Sequence, residues 1–287
     1  MKIVKISLRI FLISAFLFGG VILEALASEE HSETERFLRR KVSPPAATLD
    51  EVIKKKDEWY IEGYYEPSTI RAGSLTGRWS EYIEKFGYIH NNVHAYMWLT
   101  EIDKLENNDY LFNVGAYYNF KNSYVHHEIG FGWSDDFVYK FQNLVTLGVR
   151  MFKDKDLFWQ AGYVFRDCAI RDTHIIYPGI VYRFGENLIN VTYAASIING
   201  RGTANQGLLR GDFAITEFIK LSGGIALGER LFDAAGLAAR LERGYLIFGS
   251  VDTIFYKRLH LKVGYSYGRE DPKFLKHSMN FAVSMHF

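Results

Sequence analysis

The chain has 287 residues, with 34 Lys and Arg against 33 Asp and Glu and a net charge of +1. That balance excludes the basic stripe of a nucleic-acid binder, and a single cysteine, Cys168, excludes an intramolecular disulfide framework. Hydrophobic residues make up 48% and aromatics 16%, yet the mean hydropathy is only -0.09, so apolar and polar residues are mixed one by one rather than in blocks.

Residues 1–27 read as a secretory signal peptide. Lys2, Lys5 and Arg9 supply the positive start, Ile10 to Leu23 the apolar run, and Ala25-Leu26-Ala27 the small residues of a cleavage site before Ser28. Glu24 stops the run short of the roughly 20 residues a membrane-spanning helix needs. Residues 28–58 form a charged segment: Glu29-Glu30-His31, Arg39-Arg40-Lys41 and Lys54-Lys55-Lys56-Asp57-Glu58, with Pro44-Pro45 between the last two clusters. This composition predicts a solvated periplasmic tether, with a short helix from Leu49 to Lys55, rather than a packed domain.

From Trp59 to Phe287 the pattern has period two. Tyr110, Phe112, Val114, Ala116, Tyr118 and Phe120 alternate with Asn113, Gly115, Tyr117 and Asn119. Leu157 to Phe165, Ile189 to Ile197 and Leu259 to Tyr267 repeat the pattern, and Met279, Phe281, Val283, Met285 and Phe287 close the chain on it. Successive side chains on a strand point to opposite faces, so each segment has one greasy face and one mixed face. Short breaks fall at Lys121 to Ser123, Lys153 to Asp156, Gly185 to Asn187, Thr216-Glu217 and Tyr256 to Arg258. Longer ones are expected at Glu101 to Asn108, Arg166 to Asp172, Asn199 to Asn205, Glu229 to Ala235 and Arg269 to His277. Ser134-Asp135-Asp136 is a short break where a long one belongs, and Gly236 to Leu241 is the weakest stretch of the pattern. Short turns alternating with longer loops predict an all-β, transmembrane, antiparallel up-and-down β-barrel of about 14 strands, with 12 as the alternative.

A sheet in lipid must close, because an open edge would leave backbone amides without partners. Charged residues belong on the inner face, since one facing lipid at the midplane costs about 2–4 kcal/mol. The lumen-lining candidates are therefore Glu128, Arg150, Arg166, Asn190, Arg210, Asp212, Lys220, His260 and Lys262. A soluble sandwich or lipocalin-like barrel would share the alternation. It would not account for the signal peptide, the number of strands, or a chain that ends on an apolar Phe287. Phe281, Val283, Met285 and Phe287 form a C-terminal signal for barrel-assembly machinery, which with outer-membrane lipid is the expected partner.

No catalytic constellation, cofactor site or metal site is expected. His126-His127-Glu128 is the one dense cluster; alternation puts His126 and Glu128 on one face, and two ligands fall short of the three or more that a metal site needs. His260 and Ser266 share a face but stand about 20 Å apart along a strand, too far for a dyad. Cys168 reads as a tolerated thiol in a loop. Gly200-Arg201-Gly202 and Gly223-Gly224 lack the Lys-Ser or Lys-Thr pair of a phosphate loop.

The run Gln160-Ala161-Gly162-Tyr163-Val164-Phe165-Arg166, then Tyr177-Pro178-Gly179-Ile180-Val181-Tyr182-Arg183-Phe184-Gly185, then the Asn187 to Ala194 strand resembles the YaiO family of outer-membrane proteins. Gly77-Arg78-Trp79-Ser80 and the Ala95-Tyr96 region fit the same order of elements. The resemblance implies an outer-membrane barrel from about Trp59 onward, in genomic company with glycosyltransferase-type genes, and so a glycan or periplasmic partner. It supplies no catalytic residue. The Glu229 to Leu241 segment departs from it as an insertion would. Together these features predict a non-enzymatic conduit or surface docking element at the cell outer membrane, linked to glycan export. The alternatives are a lipid- or glycan-modifying enzyme using the His126/Glu128 face, and a structural barrel or receptor whose loops, such as Asn199 to Asn205, bind a partner.

Overall fold

The computed structural model describes residues 57–287, apart from 105–106, 134–138, 154, 169–171, 200–201, 230–242, 257 and 271–273. The signal peptide, nearly all of the tether and the Gly236 to Leu241 stretch lie outside the described residues. Fourteen strands pair in chain order, each antiparallel to the next, and β14 (Phe274–His286) returns to β1 (Glu58–Ala72) to close the cylinder. Between them run β2 (Leu75–His90), β3 (Val93–Lys104), β4 (Asn107–Asn119), β5 (Ser123–Trp133), β6 (Tyr139–Arg150) and β7 (Leu157–Cys168). β8 (Thr173–Phe184), β9 (Asn187–Ile198), β10 (Gly202–Ala214), β11 (Ile219–Glu229), β12 (Arg243–Tyr256) and β13 (Leu259–Glu270) complete the circuit.

The register fixes the width. Stepping from partner to partner around the cylinder from Glu58 through Ile89, His94, Tyr117 and His126, and on to Glu270 and Phe274, returns to β1 at Ala72, 14 residues from the start. A stagger equal to the strand number is one residue per strand. With ordinary strand spacings it sets a tilt of about 36° and a backbone radius of about 13 Å.

Alternation sorts the two faces. Val114, Val145, Leu147, Trp159, Ile180, Val191, Leu209, Leu221, Ile247, Val263 and Phe281 are all exposed on the outer surface. So large an apolar area would be untenable in water and suits lipid. Val191, on β9, keeps 51% of its surface and sits well inside the outer band. Val191→Arg should lower unfolding stability in lipid vesicles by about 2–4 kcal/mol. Urea titration of the refolded barrel checks this, and a loss near zero would mean that β9 does not face lipid.

Three stretches expected as long loops are largely strand. β3 runs through Lys104 and β4 begins at Asn107; β10 begins at Gly202; β13 runs through Glu270 and β14 begins at Phe274. All strands but β5 and β11 have 12 to 16 residues and exceed the roughly 9–11 needed to cross a bilayer. Their far ends therefore stand in water on both faces, where outward Glu101 and Asp103 break the alternation that marks a strand in lipid. Cys168, expected in a loop, ends β7 and pairs with Tyr139.

The seam between β1 and β14 is the one strand pair without a hairpin, and polar side chains link it. His286 Nδ1 lies 3.0 Å from Glu58 Oε1, Lys276 Nζ donates to Glu66 Oε1 at 3.0 Å, and the Ser68 and Ser278 hydroxyls meet at 2.8 Å. The Tyr60 ring stacks on His286 with centroids 5.3 Å apart, and the Phe287 amide donates to the Trp59 carbonyl at 2.8 Å.

Candidate functional site: the lumen

Eight strands leave room inside for side chains alone, and sixteen or more leave an aqueous channel. Fourteen falls between, so the inward residues decide. All nine lumen-lining candidates stand on the inward register: Glu128 on β5, Arg150 on β6, Arg166 on β7, Asn190 on β9, Arg210 and Asp212 on β10, Lys220 on β11, and His260 and Lys262 on β13.

The two sides of the lumen differ in kind. From β1 to β8 the inner wall is bulky and tyrosine-rich. Tyr60 faces Gly87 on the neighbouring strand, Tyr96 faces Gly115, Tyr124 faces Gly148 and Tyr177 faces Gly162. Each ring lies across its glycine, so closely that a Cβ there would collide with ring carbons. Each hydroxyl then reaches the strand beyond. Tyr60 meets His94 Nε2 at 2.8 Å, Tyr124 donates to Gln160 Oε1 at 2.9 Å, and Tyr177 meets Thr146 Oγ1 at 2.5 Å. Each tyrosine thus bridges three strands, and the glycine makes room for the crossing.

Tyr96 is the most heavily used. Its hydroxyl donates to Glu128 Oε2 at 2.7 Å and lies 2.5 Å from His126 Nε2. With its one proton given to the carboxylate, the oxygen accepts from His126, which fixes the tautomer carrying hydrogen on Nε2. His126 stacks flat on Tyr117, with centroids 3.8 Å apart and planes 4° off parallel. Gln142 Nε2 donates to the other Glu128 oxygen at 3.1 Å, and Arg166 Nε donates to Gln142 Oε1 at 2.8 Å. The His126/Glu128 face is therefore a satisfied network that locks β3, β5, β6 and β7. His127 points outward and lies 3.0 Å from Asn143 Oδ1. Among the described residues no group of three or more His, Cys, Asp or Glu side chains is placed to hold a metal.

From β10 to β14 the inner wall has no tyrosine bridge: small and charged side chains predominate, with Leu208, Leu246 and Phe248 among them, the Phe248 ring lying across Gly224. Ser222, Gly224 and Ala226 on β11, Ser250 on β12, and Gly264 and Ser266 on β13 lie above a level of ionisable residues. Those residues form an arc of alternating sign. Arg210 Nη2 lies 3.2 Å from the fully buried Asp212; Lys220 faces Asp252, and Asp252 faces Lys262. Beyond the seam Glu62 faces Lys85. Lys85 is held among aromatic rings, its Nζ 4.8 Å from the Tyr96 centroid and 5.5 Å from Trp98. At the rim where β1 begins and β14 ends, Asp57 pairs with His90, and this hydrogen bond holds the Asp57 carboxyl below the usual carboxylate range.

Sequence reasoning found the inward charges and missed the tyrosine–glycine bridges. Each half of a bridge is visible as an inward Tyr or an inward Gly, but the pairing joins residues on different strands and depends on register.

No family model matches the chain, and no curated protein matches it. Among solved structures, the outer membrane protein Omp33 of Acinetobacter baumannii aligns over 80% of this chain and 99% of its own, at 10% identity and a TM-score of 0.51. OpdL of Pseudomonas aeruginosa aligns over 80% and 98%, at 10% identity and a TM-score of 0.46. The translocator domain of the autotransporter NalP from Neisseria meningitidis aligns over 84% and 92%, at 10% identity and a TM-score of 0.43. The likeness to Omp33 is one of fold: a closed antiparallel barrel of the outer-membrane type. With the apolar outer band, it assigns the chain to the outer membrane.

Proposed function

We propose that the barrel is a non-enzymatic conduit through the outer membrane, and that its passage runs along the β10–β14 side of the lumen. One observation carries this reading. Apart from Leu208, Leu246 and Phe248, the inward residues of β10 to β13 are mostly small, hydroxyl-bearing or charged, and Lys220, Ser222, Ala226, Ser250, Lys262 and Ser266 keep part of their surface accessible. The tyrosine-bridged wall serves as scaffold, and the Tyr96 hydroxyl occupies the two groups an enzyme on that face would need free. Glycans are the solute class we favour. Serine hydroxyls and alternating charges offer a sugar both donors and acceptors without a net field. The resemblance of the Gln160 to Ala194 region to the YaiO family, with its glycosyltransferase company, points the same way.

Refolded protein in a planar bilayer, with folding checked by heat-modifiable gel mobility, should give steady single-channel steps that scale with salt. Near-neutral ion preference is expected, because the arc alternates in sign. A folded barrel that stays silent at all voltages would overturn the conduit. Conducting channels that no oligosaccharide blocks would retain the conduit and overturn the glycan.

A further inference from the structure

The outer surface is not uniformly apolar, and among the described residues the polar side chains within the lipid-facing band, tyrosines aside, are confined to one sector. Within the lipid-facing band, Glu84 on β2, His127 on β5 and Asn143 on β6 point outward. The outward positions of β8 to β14 through the same band carry aliphatic and aromatic residues, glycine, Pro178 and Thr253. An ionisable side chain turned toward lipid is costly and calls for a partner. Glu84 accepts from Tyr82 Oη at 2.7 Å, and His127 meets Asn143, so both keep polar contacts within their own barrel.

Depth relates the two ionisable groups. From Glu84 the strand partners are Leu99, Phe112 and Phe131 in turn. With a stagger of one residue per strand, the level of Glu84 is reached three residues below Phe131 on β5. His127 lies within about one residue step, roughly 3 Å, of that level. A two-fold axis along the membrane normal preserves depth and exchanges the two sides of the contact. An axis over the β3–β4 junction exchanges β2 with β5. It therefore brings Glu84 against His127 of the partner subunit, and the symmetric pair with it. Ala95 and Ala116, direct partners across β3 and β4, are small enough to let two convex walls approach.

We propose that the outer face of β2–β5 is a homodimer interface, occupied by a second copy of this chain in the same orientation and joined by two symmetric Glu84–His127 contacts. Met97, Leu99 and Val114, exposed in the single barrel, supply the apolar surface between those contacts.

The test is the oligomeric state of the full-length refolded protein in lipid, read by single-molecule photobleaching as protein density is varied. Wild type should bleach in two steps. Glu84→His and His127→Glu, each of which sets like groups against each other, should weaken association at least tenfold while heat-modifiable mobility shows them folded. The double exchange Glu84→His with His127→Glu should restore two-step bleaching, which a merely structural role within one barrel would not do. One-step bleaching of wild type at every density would overturn the proposal. So would a trimer, single variants that associate as well as wild type, or a double exchange that fails to restore pairing.

Discussion

Gly115→Val should destabilise the barrel by about 3–5 kcal/mol, although valine is the better strand former. A Cβ at Gly115 would lie 2.6 Å from both the Cζ and the hydroxyl oxygen of Tyr96. The ring must leave. Overpacking of this kind costs about 1–3 kcal/mol, and losing the hydrogen bond to Glu128 adds about 1.5–3 kcal/mol because the acceptor is a carboxylate. His126 loses its acceptor at the same time. Gly207→Val is the control, since nothing lies within 4 Å of a Cβ there. The measurement is the urea midpoint at unchanged slope. Adding Tyr96→Ala to Gly115→Val should recover part of the overpacking loss. Equal midpoints for Gly115→Val and Gly207→Val would mean that the tyrosine bridge does not bear on stability.

The second large effect is expected at Asp212, which is 0% exposed and lies 3.2 Å from Arg210 Nη2. Asp212→Asn keeps the shape and removes the charge, leaving Arg210 and Lys220 with one counter-charge fewer. Breaking a fully buried pair costs about 3–5 kcal/mol; Arg210 keeps a third of its side-chain surface, so about 2 kcal/mol is expected here. In a conducting barrel the same change should shift the reversal potential across a KCl gradient toward anions, and Arg210→Gln should shift it toward cations. Reversal potentials that do not move in either variant would place the arc away from the ion path.

Much of the fold was legible in the residues themselves. Period two needs no knowledge of partners, so the inward parity of Glu128, Arg166, Arg210 and Lys262 could be read along each strand alone. The length of β3 and β4 could not. Above the bilayer both faces of a strand are wet, and Glu101, Asp103 and Asn108 then look like loop. The site was less legible than the fold. Tyr124 and Gly148 are both visible as inward residues, but nothing local shows that they face each other. Gln160, which holds the Tyr124 hydroxyl, is 36 positions away. Glu84 was harder still, because its outward direction contradicts the rule that assigns charges to the lumen. It becomes informative only when its depth is compared with that of His127.

The β1–β14 seam also bears on the order of events in time. Every other strand pair is joined by a hairpin and can form locally, whereas the seam joins residues such as Ser68 and Ser278, 210 positions apart. Closing so long a loop carries the largest entropic cost in the chain, so the seam is the natural last step of folding and the natural first step of its reversal. A contact absent from the transition state governs the rate of opening rather than the rate of folding. The Glu58–His286, Glu66–Lys276 and Ser68–Ser278 links are therefore the latch that determines how long the finished cylinder lasts, whatever sets the speed at which its hairpins assemble.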